Sequence, residues 1–261
     1  MQLALYSLTA LVLLFGLKSK DNKLSTHRVL QIHTIINSLL LGYGVYTMTH
    51  LTPNNILQCL SLAMIITYVI STDKNIPKPI SISFLFITFI IIILSYTINE
   101  PQYDDDAISG LKAKKIYTHI FLAFCGYTSF LILSLSSFFY IWQSKILKSR
   151  KGLNKLTYFP NLLELELLQK RSLFIGIVVF TIAIGLGKIN QEAFGIDKQW
   201  GTKEILSIMI WTLYMILAIM RIISRIPKQL IAAFSLVGLA LILGSFFFLK
   251  FTNLIINQPV P

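Results

Sequence analysis

Residues 172–189 read SLFIGIVVFTIAIGLGKI, with Lys188 near the end as the only charge. An apolar stretch of this kind approaches the roughly 20 residues that a helix needs to cross the hydrocarbon of a bilayer. Working outward, comparable runs recur at 3–17, 29–49, 55–72, 80–98, 116–143, 204–223 and 229–252, separated by charged or Pro/Asn-containing breaks. The pattern predicts an all-α fold: a polytopic membrane helix bundle of about eight transmembrane helices, with residues 1–261 forming a single integral membrane domain.

Composition agrees. The 261 residues are 55% hydrophobic and 13% charged, about half the charge of an ordinary soluble domain. That excludes a soluble enzyme and leaves no length for a sizeable extramembrane domain.

The 23 Lys+Arg against 11 Asp+Glu give a net charge of +12. In a soluble chain this would suggest a nucleic-acid partner. Here the bases sit between apolar runs, where they report membrane orientation instead. Lys18, Lys20, Lys23 and Arg28 follow the first run, Lys145, Lys148, Arg150, Lys151, Lys155, Lys170 and Arg171 occupy 144–171, and Arg221, Arg225 and Lys228 lie between the last two runs. These loops face the cytoplasm, and those at 50–54, 99–115 and 190–203 face outward, which puts both termini outside. The expected location is the bacterial cytoplasmic (inner) membrane, with lipid as the main partner. The first run has its bases after it, not before it, and so reads as a retained span and not a cleavable leader.

Several local patterns carry no chemistry. Cys59 and Cys125 lie far apart in apolar segments, away from any CxxC or His/Cys cluster, which speaks against redox or structural-zinc use. Asp104–Asp106 reads as a solvated outer turn in preference to a cation site. The Gly-Leu-Gly at 185–187 lies inside an apolar helix and is no phosphate loop. No Ser/His/Asp arrangement or HExxH is present. Gly176, Ala183 and Gly187 line one face of their helix, a stripe that lets a neighbouring helix approach closely.

Ionisable residues inside spans are candidates by default. His27 lies in a basic loop and has no assigned role. His33 and Asn37 share a helical face one turn inside the cytoplasmic end of the second span; the histidine is either hydrogen-bonded to a neighbouring helix or a ligand. His50 ends that span on the outer side, near Tyr43 and Tyr46. His119 opens the fifth span, also on the outer side, with Gly126, Phe130 and Ser137 following on its face as a narrow strip against which a flat macrocycle could lie. Neutral imidazole is a common axial ligand of haem iron. His50 and His119 share a depth, whereas His33 is roughly 25 Å from His50 along its helix, so His33 and His119 cannot serve one haem. Trp200, in the outer loop GIDKQWGTKE, either caps an outward site or anchors the interface.

In order, the second half contains THIFLAFCGYTSF (118–130), FPNLLELELL (159–168), GIVVFTIAIGLG (176–187) and WGTKEILSIMIWTLY (200–214). This series, over about residues 115–245, resembles the cytochrome c assembly superfamily of haem-handling membrane proteins, in its CcsA and HemX-like branch. The resemblance implies a protein that binds haem or passes it outward, with a tryptophan-rich outer loop over the porphyrin and flanking outer histidines as axial ligands. His119 matches the first flanking histidine and would bind the haem iron. Trp200 matches the last tryptophan of the loop motif, followed by Lys203, Glu204, Trp211 and Tyr214. His33 is similar to a histidine in an early helix of some members. In this chain Gly201 stands where the motif has Asp, and no histidine follows His119; His50 as a second outer ligand is inferred from this chain alone. The expected function is a haem-binding inner-membrane protein of cytochrome c assembly, working with other assembly proteins and without catalytic chemistry of its own. The alternative is a non-haem accessory subunit that engages a partner through the basic loop at 144–171. A small-solute transporter is disfavoured by the lack of paired intramembrane charges and of an inverted repeat.

Overall fold

The structure is a computed structural model that describes residues 110–149, 161–193, 201–223 and 226–256, together with six helical positions between 60 and 70. It contains four long helices in these residues: α1 (Gly110–Ser149), α2 (Leu162–Ala193), α3 (Thr202–Ile222) and α4 (Lys228–Ile256). Each is long and apolar enough to cross a membrane. They correspond to the last four expected spans, and the all-α polytopic class stands on them. The spans expected at 3–17, 29–49 and 80–98 lie outside the described residues; the one at 55–72 is described only at its six helical positions.

The helices run beyond the apolar runs that announce them, which corrects the expected loop at 144–171. α1 continues through Lys145 and Lys148, and α2 begins at Leu162 instead of 172. A reciprocal cap starts α2: the Glu164 N–H donates to Asn161 Oδ1 at 2.7 Å, and the Asn161 N–H donates to Glu164 Oε2 at 3.3 Å. Two otherwise orphaned donors are thereby satisfied. Leu165, Leu168 and Ser172 then follow at helical spacing, all buried. The charged residues project from the helices where their heads reach water, and residues 150–160 of the expected loop lie outside the described residues.

α3 and α4 form a tight hairpin. Ile223 leaves α3 in an extended conformation, its N–H still bonded to Ile219 O at 3.1 Å. Pro227, which has no N–H to continue a helix, supplies a carbonyl that accepts from Leu230 and Ile231 at 2.9 and 3.3 Å to open α4.

α1 packs most extensively on α2; α4 packs on α1 and α3, and α3 closes the ring against α2. Alternating direction gathers Lys148, Glu166, Arg221 and Lys228 at one end and His119, Gly187 and Lys203 at the other. The first is the end that the charge rule expects on the cytoplasmic side, and the two ends are labelled cytoplasmic and outer accordingly.

With lipid outside, helix association rests on packing and polar ties. Ser129, Ser134, Ser136 and Ser137 of α1 are fully buried. Each bonds back to a carbonyl of its own helix, and Ser134 also reaches Ser235 O of α4 at 2.9 Å. At mid-bundle Phe130 stacks on Tyr214 with centroids 3.7 Å apart and planes 3° from parallel. Phe180 meets the edges of both Phe130 and Tyr127. Glycines make room: a Cβ on Gly176 would lie 2.6 Å from Phe130 Cε1, and one on Gly126 would lie 2.8 Å from Phe180 Cδ2. The small-residue stripe of α2 therefore seats α1. Outward faces present Val178, Ile182, Met209, Ile216 and Val237, as expected of a surface in lipid.

Candidate functional site

The cytoplasmic end is closed by cross-ties. Lys228 Nζ lies 2.6 Å from Glu166 Oε2. Arg221 donates to Glu166 O at 2.6 Å and to Gln169 Oε1 at 3.3 Å. Lys148 donates to Gln229 Oε1, and Gln229 Nε2 to Ser144 Oγ.

The opposite end is open. There His119 Nδ1 lies 2.8 Å from the backbone oxygen of Ala183 on α2. A carbonyl only accepts, so Nδ1 carries the proton, and in the neutral ring Nε2 is left as the lone-pair nitrogen. Ala183 O is also in reach of the N–H one turn on, that of Gly187, and a carbonyl has two lone pairs to share. The imidazole can approach because residue 187 has no side chain: a Cβ there would sit 2.7 Å from His119 Cε1 and 3.2 Å from Nδ1. Fixing one ring nitrogen by a backbone carbonyl is the usual way in which a metal-binding histidine is oriented.

Two adjoining cavities meet at this residue. One, of about 340 Å³, is walled by Ile120, Ala123, Phe124 and Leu206 among others; the second, of about 300 Å³, by Ile116, Gly187, Gln191 and Ile208. Each lies within the ~300–1,000 Å³ range of small-molecule sites. His119, Ile184, Lys203 and Ser207 belong to both. Gln191 Nε2 donates to Glu204 Oε1 at 2.7 Å, and Asn190 Nδ2 to Lys115 O at 3.2 Å, so α1, α2 and α3 are tied around the rim. Deeper, Trp211 Nε1 donates to Thr181 Oγ1 at 2.8 Å, joining α3 to α2 below the site.

Of the expected site residues, His119 lies at the centre of this arrangement. Trp200, His33 and His50 lie outside the described residues. The strip below His119 is not free for a macrocycle: Gly126 is covered by Phe180, Phe130 is stacked under Tyr214, and Ser137 is buried. Space opens instead beside His119, toward α3. Lys203 and the Ala183 carbonyl were not singled out as site residues by sequence reasoning. The available signals were a lysine in the first turn of a helix and a glycine four residues after Ala183. No group of three or more His, Cys, Asp or Glu side chains that could hold a metal ion occurs among the described residues.

These features define a class: a polytopic membrane bundle with an apolar recess at its outer end and one oriented imidazole in the recess wall. Comparison with known proteins specifies it. The family described as Cytochrome C assembly protein matches residues 48–256, well over half of the chain, and the chain belongs to that family. It is also similar to Protein HemX of Brevibacillus brevis, at 28% identity over 130 residues, covering 49% of this chain and 47% of that protein. The chain thus spans about half the length of that curated relative. No solved structure matches it. Apolar spans and family together make this a multi-pass protein of the bacterial inner membrane.

Proposed function

We propose that the protein binds haem at the outer end of the bundle, where His119 Nε2 would be a ligand of the iron. The observation that carries this reading is the Nδ1–H···O=C bond from His119 to Ala183, which leaves Nε2 without a hydrogen-bond partner among the described residues beside an apolar cavity. The residues suit a tetrapyrrole: aliphatic and aromatic walls for its body, a neutral imidazole for its iron, and a cation at its edge. Membership in the cytochrome c assembly family supports the same ligand.

Bound haem supplies a redox-active iron and is itself the cargo that an assembly factor hands on. The chain's own residues hold and orient it. Ala183 and Gly187 fix the imidazole plane, Ile184 and Leu206 exclude water, and the Gln191–Glu204 bond keeps α3 against α2. Trp200, three residues before Lys203 in the sequence, would cover the macrocycle, and His50 would supply a second ligand. His33 would belong to a separate, inner position. The full arrangement is one membrane domain of about eight spans with both termini outside, acting with other cytochrome c assembly proteins and without catalytic chemistry of its own.

The test is the visible absorption spectrum of detergent-purified protein from haem-replete cells. A Soret band that is lost in His119→Ala and kept in His27→Ala supports the assignment. Equal haem content in the two variants would sink it.

A further inference from the structure

We infer that Lys203 recognises a carboxylate on the ligand of this cavity, so that the ligand class is a tetrapyrrole with ionised acidic side chains whose acidic edge lies toward α3. The inference rests on the haem reading above and deepens it.

Lys203 is one of four residues common to both cavities, and His119 is another. It is exposed, and its side chain has no ion-pair or hydrogen-bond partner among the described residues. The neighbouring carboxylate, Glu204, is already engaged by Gln191. At the other end Lys148, Arg221 and Lys228 have partners, while the exposed Lys145 and Lys170 have none among the described residues; what distinguishes Lys203 is its place in the wall of both cavities. Lys203 also stands in the first turn of α3, where the helix dipole disfavours positive charge. Local rules are most often broken where function requires it.

The rest of the wall adds the reason. The wall of the two cavities is largely aliphatic and aromatic, and its charged members are Lys188, Lys203 and Glu204, the last held by the neutral Gln191 amide. A ligand that fills it must be apolar over most of its body, and Lys203 is the cation that lines both cavities beside His119. Haem combines those needs: an iron for the imidazole and, on one edge, carboxylates for the ammonium. Their ion pair would form at the rim, where water screens it but does not abolish it.

The experiment is a Soret-monitored titration of the purified full-length protein in detergent with ferric haem and with ferric haem dimethyl ester, whose side-chain carboxylates are blocked. Wild type, Lys203→Met and Lys203→Arg are compared. The expected result is that Lys203→Met weakens haem binding about five- to tenfold, leaves diester binding unchanged, and that Lys203→Arg restores haem binding. Two results overturn the inference while leaving His119 ligation standing: equal weakening of both porphyrins, or no weakening of either. Absence of a Soret change with both porphyrins in wild type overturns the haem reading and this inference together.

Discussion

The two ends of the bundle are built from similar residues and end in opposite states. At the cytoplasmic end each of the four long helices contributes a polar tie, and Lys148, Arg221 and Lys228 find partners in Glu166, Gln169, Gln229 and the backbone. At the outer end the helices are held at the rim, yet space remains beside His119, lined by an imidazole nitrogen and the Lys203 ammonium that have no partner among the described residues. Mid-bundle, the Phe130–Tyr214 stack and Phe180 separate the two. One end is spent on holding the helices together and the other is kept available for a ligand, a division that places binding outside the packed core.

Breaking the separator should have the largest effect. Phe130 is fully buried and stacked, so Phe130→Ala should cost about 3–5 kcal/mol, seen as a fall of roughly 10 °C in the unfolding midpoint in detergent. A midpoint within a degree or two of wild type would show that the stack does not divide the ends. Gly187→Ala acts on the open end alone: the new Cβ pushes the imidazole off the Ala183 carbonyl, and haem affinity in a Soret titration should drop by about tenfold with little change in the midpoint. Unaltered affinity would mean that ring orientation is not set there. The smallest effect belongs to Lys228→Ala at the closed end. Its side chain is 61% exposed, and exposed ion pairs contribute under about 1 kcal/mol, so the midpoint should move by less than about 3 °C and haem binding should not change.

How much of this was legible in the sequence follows from what each feature depends on. Membrane helices are announced by apolar runs, and α3 and α4 begin and end within a few residues of theirs. The start of α2 was not, because LLELELLQKR reads as a charged loop until the Asn161–Glu164 cap and the buried Leu165 and Leu168 are seen together. His119 stood out as an ionisable group in a span. Its partner did not, since a backbone carbonyl has no letter in the sequence; only Gly187, one turn beyond Ala183, hinted at it, and it reads equally well as a packing glycine. The strip of Gly126, Phe130 and Ser137 was correctly placed on the face of His119 but is occupied by protein, because Phe180 and Tyr214 come from helices whose register the sequence does not state. Lys203 appeared only as a residue following Trp200, and its place in the cavity wall emerges from the approach of α3 to α1 and α2.

The most direct test of the account is to remove the imidazole and return it from solution. His119→Gly, purified in detergent and supplied with ferric haem, should lack the Soret band of wild type and regain it when free imidazole is added at millimolar concentration, the cavity accepting the ring that the side chain no longer provides. A His119→Gly protein that holds haem with an unshifted band before imidazole is added would contradict ligation by His119.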